Sequence, residues 1–345
     1  MGHDRPVSPT RRTVSIWWWA FGYFACYVPY TTGTKLLTKP LIDTGATPVG
    51  SLELLPPTVL ATVGTLLVFL LVTGWWRKAG RRVVGGVSLP MPGKLTLMSG
   101  LCTSGIIATT TLAYTFGKVS VVFVALLMRG GVLVIAPVID RISKRRVRWF
   151  SWVALGLSLA ALVAAFASSG DTTMPILCVI DVACYLGFYF TRLTLMSKNA
   201  KSSDPDVNLR YFVEEAIVSG PALLAMIAIA SVVTTGQVGH ELRAGWTTFY
   251  DRPNAWVALV VGVMSQGTGI FGGLVFLDPR ENAFCVPVNR VSSVLGVLVA
   301  SLVLAWGWSA KWPNAEEWIG AGLIVGAIGF LTIPPLLEKR RAAAT

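Results

Sequence analysis

The sequence predicts an all-α integral membrane protein with ten transmembrane helices. Of its 345 residues, 54% are hydrophobic and 13% are charged, whereas soluble domains carry about 25% charged residues. The mean hydropathy is +0.65. The apolar residues lie in runs of roughly 20, which is the length that a helix needs to cross a hydrocarbon core of about 30 Å. The loops between these runs are short, so a separate soluble domain is not expected.

The apolar runs form two sets of five, with a short tail at each end. We predict cytoplasmic tails over residues 1–13 and 338–345, a first repeat over 14–167 and a second over 174–337. The predicted helices of the first repeat are 14–38, 54–76, 95–115, 119–139 and 149–167, and those of the second are 174–196, 211–233, 255–276, 283–306 and 318–337.

Lysine and arginine are unevenly distributed between alternate loops, which indicates the orientation of the chain. The basic stretches 77–82 and 141–148 fall on the side of the N-terminus, whereas the opposite loops hold few basic residues. Because basic loops remain in the cytoplasm, both termini are predicted to be cytoplasmic. The expected location is the plasma (inner) membrane, where the lipid bilayer surrounds a multi-pass protein.

Several function classes lack their usual residues in this chain. The chain has 29 Lys and Arg against 17 acids, but the basic residues lie between spans rather than on one folded face, so nucleic acid is not an expected partner. The five cysteines follow no metal-binding spacing, and His3 and His240 fall outside the spans. No phosphate-binding loop of the GxxxxGK[ST] type occurs. We therefore expect no cofactor, no metal and no enzymatic activity.

Two arginines interrupt apolar runs near their midpoints. Arg129 lies in the fourth predicted helix and Arg290 in the ninth. A cation near the bilayer centre costs roughly 2.5–3.5 kcal/mol on insertion scales, so both charges need compensation. A guanidinium group can bind a carboxylate or phosphate through two parallel hydrogen bonds, which makes both arginines candidate anchors for an anionic substrate. The alternative is a static role, in an ion pair or in bonds to helix-end carbonyls.

The two halves of the sequence resemble each other. Aligning Arg129 with Arg290 and Trp152 with Trp318 brings WVALGLSLAAL (152–162) onto WIGAGLIVGAI (318–328). Because each half has an odd number of predicted spans, the second would enter the membrane with opposite topology. The result would be two inverted five-helix repeats, the architecture of many transporters, with the substrate site near the midplane.

The stretches LLMRGGVLVIAPVID (126–140), SQGTGIFGG (265–273) and ENAFCVPVNRVSSVLG (281–296), together with the repeat, resemble the drug/metabolite transporter (DMT) superfamily, in particular its ten-helix EamA-type members. The resemblance covers nearly the whole chain. It implies that predicted helices one to four and six to nine line a central cavity, where some members bind phosphates through basic residues. Helices five and ten would be peripheral and could form a homodimer.

Further polar residues in the spans are candidate substrate ligands or parts of a gate. The candidate ligands are Asn289, Gln266, Tyr27, Tyr185 and Ser104, of which Asn289 and Gln266 could instead only bond between helices. Pro137 and Pro287 interrupt helices and could form a gate, although membrane helices often tolerate proline.

Four acidic residues are candidate coupling sites or counter-ions to the arginines: Glu53, Asp181, Glu214 and Glu215. For Glu214 and Glu215 a purely structural pairing is an equal alternative, and Glu53 is close enough to a helix end to be solvated. Arg192, near the inner end of the sixth helix, is expected to extend towards the cytoplasm.

The preferred hypothesis is a secondary transporter that moves a small anionic or zwitterionic organic solute by alternating access. A second hypothesis is an exporter of cationic or amphiphilic compounds, in which the acidic residues attract the substrate and the arginines are structural. A third, of a different class, is an accessory or structural membrane subunit that transports nothing. The charge preference of a bound ligand separates the first two, and copurification with a partner would indicate the third.

Overall fold

The computed structural model describes residues 15–38, 48–84, 87–112, 121–167, 175–202, 204–310, 312–313 and 315–344. These residues form eleven α-helices and one two-stranded antiparallel sheet, β1 (Arg81–Val84) with β2 (Val87–Pro90). The helices are α1 (Ile16–Thr38), α2 (Leu55–Thr73), α3 (Lys94–Leu112), α4 (Val121–Ile142), α5 (Trp149–Ala167), α6 (Ile176–Asn199), α7 (Pro205–Val233), α8 (Gly236–Trp246), α9 (Ala255–Phe276), α10 (Asn282–Trp308) and α11 (Ala315–Ala344).

The prediction of an all-α membrane protein is confirmed. Each predicted span coincides with a long helix, and six helices of the described residues are long and apolar enough to cross a membrane: α2, α6, α7, α9, α10 and α11. Crossing by the other four long helices stays a prediction. The tail that was predicted over 338–345 is instead a continuation of α11 as far as Ala344.

Two regions predicted as loops contain regular structure. The hairpin β1–β2 lies between α2 and α3, and the short helix α8 lies between α7 and α9. α8 was missed because it has 11 residues and mixed polarity, and therefore no long apolar run.

Local signals explain where several helices begin and end. α2 begins with Pro56 and Pro57 in its first turn and ends at Gly74, whose φ of 68° gives the left-handed conformation common at helix C-termini. At the start of α7, the Asp204 carboxylate accepts a hydrogen bond from the backbone N–H of Asp206 at 2.9 Å. Pro205 follows Asp204 at the first helical position, where its missing N–H costs nothing.

Helices from the two halves of the chain interleave. α1 packs against α9 and α10, while α6 packs against α3 and α4. α2 packs against α9 and α7, and α3 packs against α7. α5 and α11 pack against each other at the side of the bundle, with apolar residues on their outward faces. A homodimer through α5 and α11 would have to use those outward faces, and it stays a prediction.

Glycines allow the backbones of the central helices to approach closely. A Cβ atom added at Gly262 of α9 would lie 2.5 Å from the Thr58 carbonyl oxygen and 2.5 Å from the Ala61 Cβ, both on α2. The Thr62 hydroxyl also donates to the Gly262 carbonyl at 3.1 Å. On α1, an added Cβ at Gly22 would lie 2.6 Å from the Phe271 ring of α9. These contacts require glycine because any side chain would separate the helices.

A buried carboxylate links the C-terminal end of α4 to the N-terminal end of α10. Asp140 of α4 is fully buried. Its carboxylate accepts hydrogen bonds from the backbone N–H groups of Asn282 at 2.8 Å and Ala283 at 2.7 Å, and from the Asn282 side chain at 2.8 Å. Asp140 thus caps the N-terminus of α10 from another helix, where both the free N–H groups and the helix dipole favour a negative charge.

We expect Asp140→Ala to lower the free energy of unfolding by about 2 kcal/mol, because two backbone amides of α10 lose their acceptor in a buried site. Denaturation of the detergent-solubilised protein measures the change. Asp206→Ala is the control, because its ion pair with Lys78 is about half exposed and such pairs contribute about 0–1 kcal/mol. Equal losses in the two variants would contradict a stabilising role of the Asp140 cap.

Candidate functional site

Two arginines and four tyrosines from four helices meet inside the bundle. We call Tyr23, Tyr27, Arg129, Tyr185, Tyr189 and Arg290 the central cluster. α1 contributes the first two tyrosines, α6 the other two, α4 Arg129 and α10 Arg290. On α1 and α6 the tyrosines are four residues apart, so both members of a pair lie on one helix face. The paired rings are 5.4 Å apart on α1 and 4.9 Å apart on α6, between centroids.

The two arginines contact different tyrosine pairs. The Arg129 Nη2 donates a hydrogen bond to the Tyr27 hydroxyl at 3.1 Å. The Arg290 Cζ lies 5.4 Å from the centroid of the Tyr189 ring, within the range of a cation–π interaction. The two guanidinium groups are also close enough to interact unfavourably as like charges. Two like charges inside the bundle make the local potential more positive, which favours an anion.

Arg290 is bound by the Tyr189 side chain but has no carboxylate partner among the described residues. Its Nε and Nη2 atoms are buried, and no hydrogen-bond acceptor among the described residues reaches either of them. Other arginines of the described chain are paired with carboxylates: Arg192, Arg210, Arg252 and Arg280. Arg290 therefore differs from these four arginines of the same molecule, and its free donors point to a binding role.

Asn289 and Gln266, both predicted ligands, are buried, and Asn289 lies near Tyr23 of the cluster. Asn289 is 3% exposed and Gln266 is 9% exposed. Gly272 of α9 brings Asn289 and Tyr23 together: a Cβ atom added there would lie 3.2 Å from the Asn289 Nδ2 and 3.0 Å from the Tyr23 ring. The structure thus brings together Arg129, Arg290, Tyr27, Tyr185 and Asn289, with Gln266 on the neighbouring helix α9.

Arg192 does not extend to the cytoplasm, so that prediction was wrong. Its Nε donates to the Glu215 Oε1 at 2.5 Å, and the two side chains are 10% and 5% exposed. The same oxygen accepts hydrogen bonds from the Ser99 and Thr103 hydroxyls at 3.1 and 2.6 Å. α3, α6 and α7 are therefore joined by one buried ionic network, in which Glu215 is the counter-ion of Arg192 rather than of Arg129 or Arg290.

Glu214 and Glu53 also have other partners than the central arginines. The Glu214 carboxylate accepts from Arg210 at 2.8 Å, Thr96 at 2.7 Å, and the backbone N–H groups of Gly80 and Gly93. The Arg252 Nε and Nη2 donate to the Glu53 Oε1 and Oε2 at 2.9 and 3.1 Å. The prediction that Glu214 and Glu53 are counter-ions of Arg129 or Arg290 is therefore corrected. Neighbouring donors bind each carboxylate at another place in the bundle.

Asp181 differs from the other three acids. It is 3% exposed, and neither carboxylate oxygen has a hydrogen-bond partner among the described residues. It pairs with no arginine in the part of the chain that the structure describes. It lies on α6 four residues before Tyr185, on the buried face that also carries Tyr189.

Ser104 and the two prolines have structural surroundings. The Ser104 hydroxyl donates to backbone carbonyls of Gly100 at 3.1 Å and Ser219 at 2.9 Å, which ties α3 to α7 rather than placing it in the central cluster. α4 and α10 run through Pro137 and Pro287 without interruption, so the predicted helix breaks are not present. Each helix absorbs its proline because neighbouring helices surround it.

An apolar groove lies beside the cluster, between α1, α10 and α11. Its volume is about 240 Å³, and its lining includes Trp17, Phe21, Phe24, Val288 and Leu331. The polar lining residue Ser292 bonds to its own helix, at 2.9 Å from the Val288 carbonyl oxygen. The groove thus suits an alkyl chain and offers no charged group.

Comparisons with known proteins assign the fold but no family. No family model matches the chain. The chain is similar to a solved crystal structure of a protein, with a TM-score of 0.54 and 15% sequence identity. The match covers 91% of this chain and 98% of the chain in that crystal structure, so the two share a fold. Over 118 residues the chain is 30% identical to alkane 1-monooxygenase 2 of Pseudomonas aeruginosa; this is 30% of this chain and 31% of the relative. The chain therefore matches about a third of the length of that relative.

The alkane 1-monooxygenase match corrects one prediction. The sequence was expected to carry no enzymatic activity, but the curated relative that it matches is an enzyme. The expectation depended on the absence of recognisable catalytic motifs, and such motifs are only defined for known arrangements of residues. The resemblance to the DMT superfamily stays a prediction.

Proposed function

We propose that the protein is a secondary transporter of the plasma membrane that binds an anionic group of a small organic solute at the central cluster. The observation that carries this proposal is the pair of buried Arg290 atoms Nε and Nη2, which lack acceptors in the described part of the chain, while Arg129 is a like charge nearby. Leaving a buried cation unpaired costs several kcal/mol. A carboxylate or phosphate between the two guanidinium groups would accept the free donors and remove the repulsion.

The packing supports an alternating-access mechanism. In the proposal, ten long helices span the membrane as two inverted five-helix repeats, and both termini are cytoplasmic. The exchange of partners agrees with such a symmetry: α1 of the first half packs on α9 and α10, and α6 of the second half packs on α3 and α4. The central cluster draws its residues from both halves, so rocking of one half against the other would change access to the arginines.

Binding of small anions by the purified protein tests the proposal. Pentanoate, succinate and glycerol phosphate are to be titrated while the thermal midpoint is followed, because a ligand of the folded state raises the midpoint with dose. We expect at least one anion to stabilise the parent protein, and Arg290→Gln to weaken its binding roughly 10- to 100-fold through loss of charge-assisted hydrogen bonds. Counterflow of the bound anion in proteoliposomes then measures transport.

Arg141→Gln is the matched control. Arg141 lies on α4, the helix that carries Arg129, but its side chain is exposed at the helix end. This variant should bind the anion like the parent. Stabilisation by cations or lipophilic compounds alone, equal in the parent and in Arg290→Gln, would overturn the anion site and favour the cationic exporter. Binding without counterflow would overturn transport.

A second candidate function is oxidation of an alkyl chain, which the partial identity to alkane 1-monooxygenase 2 and the apolar groove favour. Oxygen chemistry uses a metal or an organic cofactor. Within the described residues no group of three or more His, Cys, Asp or Glu side chains is placed to hold a metal ion. The described residues therefore do not fit a metal centre, and they support no chemical step through one.

Product analysis in cells tests this second candidate, because growing cells supply oxygen and reductant. Cells that express the protein are to be given octane, and octanol is to be measured against cells that carry an empty vector. Octanol above the control level would establish the oxidation. Equal levels, with expression verified, would remove this candidate.

A further inference from the structure

A second uncompensated charge lies on the same helix face as the central cluster. Asp181 is 3% exposed, and both of its oxygens are buried without a partner in the part of the chain that the structure describes. From Asp181 the face of α6 continues through Tyr185 to Tyr189, whose ring lies under Arg290. The face thus carries a carboxylate, an aromatic ring one turn further along, and a second ring two turns away that contacts the Arg290 cation of α10.

Asp181 forms no ion pair with Arg290, since neither of its oxygens has a partner among the described residues. Asp181 and Tyr189 are eight residues apart on one helix, which corresponds to about 12 Å along its axis. Because Arg290 lies over the Tyr189 ring, a ligand that hydrogen-bonds to Asp181 and to Arg290 at about 3 Å each would carry its own charges about 6 Å apart. Tyr185 lies between the charges, where its ring would contact an apolar spacer.

We infer that the central site takes a zwitterion whose ammonium group binds Asp181 and whose carboxylate binds Arg290, with a short alkyl spacer against Tyr185. The inference rests on the proposed anion site and names its substrate class. One ligand would supply a partner to both unpaired groups, because its ammonium group would bind the Asp181 carboxylate and its carboxylate would bind the Arg290 guanidinium. Neither a plain anion nor a plain cation would do so.

Three linear probes that differ only in their end groups test the inference. 5-Aminopentanoate carries charges about 6 Å apart when extended, pentanoate carries only the carboxylate, and pentylamine carries only the ammonium. Calorimetric titration of the detergent-purified full-length protein should give the highest affinity for 5-aminopentanoate. Asp181→Asn should weaken that affinity roughly 10- to 100-fold and remove the preference for 5-aminopentanoate over pentanoate. Asp251→Asn, at an exposed residue that ends a short 3-10 helix, is the control and should change neither.

The outcomes separate this inference from the proposed function. Equal affinity of the parent protein for 5-aminopentanoate and pentanoate would overturn the zwitterion and leave the anion site intact. Binding of neither probe would overturn the zwitterion, and failure of succinate and glycerol phosphate to bind as well would overturn the anion site too. The preference of the parent protein is informative even if Asp181→Asn fails to fold.

Discussion

Glu215→Gln is expected to destabilise the protein by about 3–5 kcal/mol, the largest stability effect that we predict. The substitution keeps the shape of the side chain but leaves Arg192 charged in a site where both side chains are at most 10% exposed. Removing one partner of a buried pair is costly because the remaining charge has been taken out of water without compensation. Denaturation of the detergent-solubilised variant measures the loss.

Two further variants make this prediction specific. Glu241→Gln changes a partly exposed glutamate that is hydrogen-bonded to Gln237, and it should change stability by less than about 1 kcal/mol. Arg192→Met combined with Glu215→Met removes both charges and should recover much of the stability, because apolar replacements of similar volume avoid the desolvation cost. A double variant that is as unstable as Glu215→Gln would contradict the uncompensated charge as the cause.

Gly262→Ala is expected to destabilise the protein by about 3 kcal/mol, at the upper end for overpacking of a close-packed interior. Its new methyl group would lie 2.5 Å from the Thr58 carbonyl oxygen, which belongs to the backbone of α2 and cannot rotate away. α2 and α9 would have to separate, and the hydrogen bond from the Thr62 hydroxyl to the Gly262 carbonyl would be lost.

Gly269→Ala on the same helix is the matched control. Gly269 is exposed, and a Cβ atom there would meet only the Gln266 side chain at 4.0 Å. Because alanine favours a helix over glycine by up to about 1 kcal/mol, this variant should be as stable as the parent or more stable. The two substitutions are therefore expected to have opposite signs. If Gly262→Ala is also stabilising in the thermal assay, α2 and α9 do not pack as closely as described.

The positions of the long helices could be predicted because apolar runs of about 20 residues are visible in the sequence. The same is true of Arg129 and Arg290, since a charge within an apolar run stands out without any structure. The tyrosine partners were partly visible: Tyr23 with Tyr27 and Tyr185 with Tyr189 have the spacing of one helix face. Which arginine meets which pair depends on the packing of four helices and could not be deduced.

The ionic pairs show the limit of sequence reasoning most clearly. Arg192 and Glu215 lie on consecutive helices, yet Glu214 is the adjacent residue and has different partners. Neighbouring residues of α7 point about 100° apart around the helix axis. The sequence alone therefore does not show whether Glu214 or Glu215 faces Arg192. The cap that Asp140 provides for α10 joins residues 142 positions apart, and no local pattern relates them.

The interleaved packing also has a consequence for synthesis in the cell. α1 is the first described helix to leave the ribosome, but its main neighbours α9 and α10 begin at residues 255 and 282. During that interval the glycine-lined face of α1 can only contact lipid, other early helices or assisting proteins. Assembly of the native bundle must therefore follow insertion of nearly the whole chain, and a ribosome that stops before α9 would release a product that lacks the main partners of its first helix.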